Sequence, residues 1–288
     1  MPTLLRVTVA WLALFAAASQ AQESVSVHLT MGNPSRAVAN KALRANYLVL
    51  HDECAMSFNA TTGISNWVSW RLAAGDMGQA DREDMDFIRD VMLPEEFPRA
   101  PVQLYRNSGF DKGHVMPAAD RSRRLKSLRG TFLTTNCLPQ APKLNRGPWN
   151  QHEAHRRQLA AAGKELFIVA GPAGWGGLGE KGFRRSLGRD VPDWTGKGPL
   201  SPGFDVPGWC WAACLILDEH DGDDLKRVTA GTPSLAVIMP NTQEIEGPWE
   251  KYLVPVRWVE DLTGLNLFDL VDEDTQEAIE TSPVVSAR

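Results

Sequence analysis

The chain has little with which to cross a membrane. Its longest apolar run, Val9 to Ala18, is about half of the ~20 residues that a bilayer core demands, and no later segment comes closer. The run follows the lone base Arg6 and ends at Ser19-Gln20-Ala21, a small-x-small cleavage pattern, so residues 1–21 are expected to be a secretory signal peptide. A secreted or periplasmic product without a membrane partner follows from that reading. Repeats and low-complexity linkers are also missing, which favours one domain over residues 22–280 with a short tail at 281–288.

Cysteine is scarce. The four, Cys54, Cys137, Cys210 and Cys214, have no zinc-site spacing, and an oxidising compartment leaves one or two disulfides and buried thiols as equal alternatives. On a strand, Cys210 and Cys214 share a face but lie ~13 Å apart, too far to bond each other. A His-Glu-x-x-His motif is absent. His152 and His155 stand three apart beside Arg156 and Arg157, poor company for a cation, which argues against a zinc hydrolase. The glycine-rich "GPAGWGGLGE" lacks the Lys-Ser/Thr ending of a phosphate loop and opens no helical pattern, so an ordinary loop is expected.

The chain is not basic overall, with a formal charge of −5, which by itself disfavours a nucleic-acid binder. The distribution reverses that inference. Residues 101–160 hold eleven Lys or Arg against three acids, a local excess of eight positive charges, while the remainder is correspondingly acidic. A polyanion is drawn to this region and repelled elsewhere.

Strand-like segments occur at Asn46 to Asp52, Gly130 to Asn136, Glu165 to Gly171, Cys210 to Asp218 and Ser234 to Pro240. A helix is expected from Pro148, a first-turn proline, to a stop at Gly163, with others near "RWVEDLTG" and "DEDTQEAIE". Inside the basic region lies "GFDKGHVMPAADRS". There His114 follows Gly113, expected to take an unusual backbone angle that sets the imidazole on a tight turn at a sheet edge. An imidazole with a pKa near ~6.5 suits a general base.

A base alone does not cleave a phosphodiester, because charge on the phosphate and leaving group must also be stabilised, usually by a metal ion. The next segment, "TNCLPQAPKLNRGPWNQHE", offers Asn136, Asn145 and Glu153. Asn145 and Glu153 share a helical face but stand ~12 Å apart along it, so Glu153 reaches an ion held by Asn145 only through water. Mg²⁺ tolerates one or two protein oxygens plus several waters.

Together, "GFDKGHVMPAADR" and "FLTTNCLPQAPKLNRGPWNQHE" resemble the signature of the DNA/RNA non-specific endonucleases, the ββα-metal nucleases. The family's Asp-Arg-Gly-His motif corresponds to Asp111, Lys112, Gly113 and His114. Its downstream pattern corresponds to Asn136, Pro139, Gln140, Asn145, Arg146, Gly147, Trp149 and Glu153. Flanking segments such as "LTMGNPSRA", "TPSLAVIMPN" and "VRWVEDLTGLNLF" extend the likeness over nearly all of the exported chain, most closely to the cyanobacterial branch.

The resemblance implies an α+β fold, an antiparallel sheet core with flanking helices and a ββα-metal unit. It implies His114 as general base, Asn145 as direct ligand of Mg²⁺ or Mn²⁺, Glu153 on a metal-bound water, Asn136 positioning the site and Arg82 facing the scissile phosphate. Lys112, Arg121 and Arg146 are the expected substrate-binding cations. DNA and RNA are the implied substrates, cleaved to 5′-phosphates; a protein inhibitor and the oligomeric state are left open. Lys112 replaces the family's arginine, keeping the charge but losing the bidentate fork. With the acidic surface, that leaves a catalytically weak nucleic-acid-binding homologue as the alternative.

Overall fold

The computed structural model describes residues 26–98, 102–188 and 204–282; the expected signal peptide and all but the first two residues of the expected C-terminal tail lie outside them, Thr281 ending a helix instead. The architecture is α+β. Its centre is a seven-stranded antiparallel sheet built from β1 (Tyr47–Leu50), β2 (Ala55–Asn59), β3 (Ile64–Leu72), β6 (Lys164–Ala173), β11 (Trp209–Asp218), β12 (Ser234–Pro240) and β13 (Leu253–Val254), in that spatial order. Three two-stranded pieces complete the strands among the described residues: β4 (Asp111–His114) with β5 (Cys137–Gln140), β7 (Gly177–Gly179) with β8 (Gly182–Arg184), and β9 (Ser186–Leu187) with β10 (Phe204–Asp205).

The continuous apolar run of β11 reflects burial on both faces. Cys210, Ala212, Cys214 and Ile216 enter one core, with Trp70, Ile168 and Val237 from neighbouring strands. Trp211, Ala213, Leu215 and Leu217 enter the other. Two helices cover that second face. Leu125–Gly130 and Asn150–Ala161 being α1 and α2, these are α3 (Val256–Thr263) and α4 (Glu273–Thr281), which contribute Val256, Val259 and Ile279. Gly264, at φ 71°, stops α3, and the Asp272 side chain caps α4 by accepting from the Thr275 N–H. Arg257 ties the pair together through Glu277 at 2.6 Å and Glu280 at 2.7 Å.

The first face carries the candidate site. β4 and β5 run antiparallel in the register Asp111↔Gln140 to His114↔Cys137, and α2 follows β5, giving a β-β-α unit whose Leu138, Leu144 and Trp149 join the first core. Asn241, buried at the end of β12, fastens this unit to the sheet: its side chain accepts from the Ala141 N–H at 2.7 Å and donates to the carbonyls of Pro139 and Pro207 at 2.9 and 2.8 Å.

Several expectations needed correction. No strand occupies Gly130 to Asn136, because α1 ends at Gly130 and a 3-10 turn covers Thr134–Asn136 before the strand starts at Cys137. The Asn136 amide bonds the backbone of Met116 and Thr131, and such side-chain bonds compete with a ladder. Strands β2 and β3 carried no clear signal. In β3, "ISNWVSWRL", Ser65 and Ser69 are buried and satisfied by the carbonyls of Thr135 (2.7 Å) and His28 (2.6 Å), which breaks the expected polar-out alternation. Pro148 sits inside a five-residue π turn, Asn145–Trp149, ahead of α2 rather than in its first turn.

His114 lies on a strand, not a tight turn, and Gly113 meets a demand for space, not angle. A Cβ at Gly113 would stand 1.9 Å from the Oε1 of Gln140, itself fully buried. All four cysteines are unpaired and buried, with Cys210 and Cys214 on one face as expected. "GPAGWGGLGE" is the end of β6 and the start of a hairpin, with no helix behind it.

Gly113→Ala is therefore expected to destabilise the protein by ~1–3 kcal/mol through overpacking against Gln140. Urea unfolding checks this; an unchanged midpoint would show that Gln140 moves aside without penalty.

Candidate active site

β4 ends at His114, and the imidazole is wedged between two phenylalanines. Its centroid is 4.5 Å from the Phe87 ring and 4.8 Å from the Phe132 ring, the latter edge-on. A local pairing holds both rings: Ile88 bridges Leu133, with Ile88 N–H to Phe132 O and Thr134 N–H to Ile88 O both at 2.9 Å. Although one side of His114 meets a cavity, burial, helped by the positive charges of Arg82 and Lys112, pushes its pKa down to about 3. The neutral imidazole is thereby favoured at every pH above that, and its Nε2 has no hydrogen-bond partner within the protein. This replaces the expectation of a pKa near 6.5.

The cavity beside His114, about 430 Å³, is lined by Arg82, Lys112, Asn145, Arg146 and Glu153 as well. Six of the eight residues singled out from the sequence thus surround one space. Asn150 and Arg157, not singled out, line it too. Arg146, Asn150, Glu153 and Arg157 follow an i, i+4, i+7, i+11 spacing, the signal that could have found them.

Asn145 is oriented by Asp111, the first residue of β4. Its Nδ2 donates to the Asp111 carboxylate at 2.9 Å, and Arg146 grips the same group with two bonds of 2.9 and 2.6 Å. A carboxylate only accepts, so the Asn145 amide turns its nitrogen toward Asp111 and keeps its oxygen for another partner. Glu153, whose side chain is 12% exposed, has its carboxyl pushed up to about 7 by burial, against the lowering influence of Arg156 and Arg157. Asp120 also raises it; that buried carboxylate accepts from Trp70 Nε1 at 3.0 Å and Arg157 at 3.1 Å.

Lys112 pairs with Asp86 and stands 5.7 Å from the Phe87 ring centroid. Asn136 does not reach the cavity. Its amide accepts from Met116 N–H at 2.8 Å and donates to Met116 O and Thr131 O at 2.9 Å, clamping the turn after His114 to the turn before β5. Its geometry is that of a positioning residue.

Arg121 is the misplaced member of the expected substrate-binding set. Its guanidinium is buried and donates to the carbonyls of Glu53, Asp120 and Arg71, with Asp76 at 3.6 Å, beside a different cavity. The histidines of the zinc reading are likewise elsewhere: His152 is buried with its centroid 5.3 Å from the Trp249 ring, and His155 lies tilted against the same indole at 4.8 Å. Among the described residues, no three or more His, Cys, Asp or Glu gather as a metal cluster.

Comparison with known proteins places the chain in a family. The family model described as DNA/RNA non-specific endonuclease matches residues 32–274. The chain belongs to that family, and its activity class is that of a nuclease. A nuclease of Nostoc sp. is 38% identical over 258 residues, covering 90% of this chain and 86% of the relative. Mitochondrial endonuclease G of Homo sapiens is 28% identical over 212 residues, 73% of this chain and 65% of the relative. In structure, an EndoG chain solved in complex with EndoGI superposes with a TM-score of 0.67 at 22% identity, covering 86% of this chain and 92% of that one, which establishes the common fold.

Within this nuclease fold, Arg121→Ala should act on stability. Three carbonyls lose their donor, at ~1–3 kcal/mol for each that stays dry, whereas Arg123→Ala and Arg124→Ala on the exposed surface should stay within ~0.5 kcal/mol. Denaturant midpoints distinguish them; a stable Arg121→Ala protein with a raised KM would return this residue to the substrate-binding set.

Proposed function

We propose that the protein is an exported, metal-assisted endonuclease that hydrolyses the phosphodiesters of DNA and RNA without strong sequence or sugar preference, leaving 5′-phosphates. The observation that carries the reading is the convergence of His114, Asn145, Glu153 and the cations Arg82, Lys112 and Arg146 on one cavity.

The donor chemistry fits a hard divalent cation. Asn145 offers a neutral amide oxygen, and Glu153 an anion under-compensated enough that burial raises its pKa. Mg²⁺ or Mn²⁺ is the class of ion these oxygens suit, Asn145 holding it directly and Glu153 through water. When bound, the ion supplies charge stabilisation for the phosphoryl oxygens and the leaving group.

The chain's own residues do the rest. His114, kept neutral, accepts a proton from water through the unpartnered Nε2. An imidazole with so low a pKa is a weak base in isolation. Burial is the chief cause of that depression and Arg82 and Lys112 add to it; phosphate entry sets negative charge against these two cations, offsets their part and strengthens the base as substrate binds. Those cations hold the phosphate, and Asn136 and Asp111 hold the backbone and amide geometry. Water as nucleophile needs no 2′-hydroxyl, so the sugar is irrelevant to the chemistry.

Export rests on the signal-like residues 1–21. Unpaired cysteines are compatible with it, since burial pushes the thiols of Cys137, Cys210 and Cys214 up to about 12 and denies them to oxidants.

His114→Ala is expected to lose ~10²- to 10⁴-fold or more in turnover while keeping its fold and DNA binding. Plasmid and RNA digestion with Mg²⁺ reads this; turnover near that of the parent would remove His114 from its role. EDTA should abolish cleavage. Asn145→Ala should require far more metal for half-maximal activity and Glu153→Gln moderately more, so a metal titration giving equal, metal-independent defects in both contradicts the assignment.

A further inference from the structure

Three aromatic rings stand exposed around one glycine-rich turn outside the cavity. Trp175, Phe183 and Trp209 are 49%, 60% and 40% exposed. Gly174 and Gly176, at φ 61° and 90°, take left-handed conformations on either side of Trp175. They also provide the floor. A Cβ at Gly176 would lie 2.3 Å from Phe183 Cζ, and one at Gly174 would lie 3.2 Å from Trp209 Cδ1. Arg185 stacks its guanidinium over Trp175, 4.1 Å from the ring centroid.

This group is joined to the site. The β7–β8 hairpin bonds the residues just before β4, with Glu180 N–H to Gly109 O at 2.9 Å and Arg184 Nε to Ser108 O at 3.1 Å. From Asp111 to His114 the strand advances ~10 Å, so the hairpin's anchor at Ser108 and Gly109 lies a few nucleotides' reach from His114.

We propose that Trp175, Phe183 and Trp209, with Arg185, form a stacking platform for unpaired bases of a single-stranded DNA or RNA substrate whose backbone continues into the His114 cavity. The proposal rests on the nuclease reading for its direction but not for its contacts. Exposed rings offer π-faces that any base matches, so the platform is indifferent to sequence. The cations fix the class of occupant: Lys181, Arg184 and Arg185 stand against the single acid Glu180 over residues 180–185, as a phosphodiester backbone requires. A duplex keeps its base faces stacked inside, so it enters the cavity without this contact. The platform therefore sets a preference between strand forms.

The test is the binding and cleavage of a ~20-nucleotide unpaired oligonucleotide and a duplex of equal length by the parent protein, Trp175→Ala, Phe183→Ala and Trp175→Phe. Binding is measured by fluorescence anisotropy in EDTA, where no cleavage occurs. Each alanine variant is expected to raise the single-strand Kd, and with metal the KM, by ~10-fold with kcat unchanged. Duplex values should stay within about twofold, Trp175→Phe should restore binding, and an oligonucleotide of ~3 nucleotides should not distinguish the variants. No change with the single strand, or an equal change with both forms, overturns the platform. So does sedimentation showing that the parent self-associates through these rings and the alanine variants do not. Platform-dependent binding by a protein that cleaves nothing would instead sink the nuclease reading and leave the platform standing.

Discussion

The Asp111 carboxylate is the constraint on which the site depends. It begins β4, so its position is set by the pairing with Gln140, yet its oxygens take bonds from Asn145 and Arg146 in the turn that leads to α2. One side chain thus couples the strand that carries the proposed base to the turn that carries the proposed metal ligand. Charge-assisted bonds of this kind are roughly twice as strong as neutral ones, and a two-pronged guanidinium contact also fixes angle. Without Asp111 the Asn145 amide loses the reason to present its oxygen, and the separation between base and ligand is set only by packing. The fastening of the same unit to the central sheet by Asn241 is the next level of that arrangement, since it places the unit against a rigid core.

Electrostatics around the cavity are arranged as two opposed displacements. His114 is pushed toward neutrality by burial and by Arg82 and Lys112, while burial pushes the Glu153 carboxyl up, against Arg156 and Arg157. On the proposed function, the negative charge of a phosphate beside Arg82 and Lys112 would offset their part of the first displacement, and a divalent cation beside Glu153 would oppose the second.

Much of this was legible in the chain. The strands through Tyr47, Lys164, Trp209 and Ser234 are dense in apolar and β-branched residues, and three helices announced themselves by Pro148, Gly163 and their periodicity. Of the cavity residues, His114, Asn145 and Glu153 were legible from context and spacing, whereas Arg82, Lys112 and Arg146 were expected only through the family resemblance. What stayed hidden was local competition. Asn136 looked like the end of a strand because its neighbours are β-formers, and only its three amide bonds turn the chain there. Ser65 and Ser69 look solvent-facing by type, but carbonyls from distant segments satisfy them in the core. Gly113 advertises freedom of angle, whereas the limiting quantity is the space taken by Gln140, a residue 27 positions away.

Charge was the most misleading signal, and the reason is instructive. The basic excess of residues 101–160 suggested a continuous surface for a polyanion, yet composition counts charges without regard to their partners. Arg121 serves carbonyls inside the protein, Arg156 lies buried 5.3 Å from the Trp70 ring centroid, Arg157 bonds Asp120, and Lys126 pairs with Asp52. Arg121, Arg156 and Arg157 are therefore taken up by the protein itself, and the exposed Lys126 is partly neutralised. The cations that line the cavity are few, Arg82, Lys112, Arg146 and Arg157, and of these Lys112, Arg146 and Arg157 have carboxylate partners that a phosphate would have to displace or share. Affinity for a backbone then comes from a small number of close contacts, with the acidic remainder of the surface opposing wider wrapping. A nuclease so built gains from any contact that does not depend on charge, and the exposed rings beside β7 and β8 are the part of its surface suited to provide one.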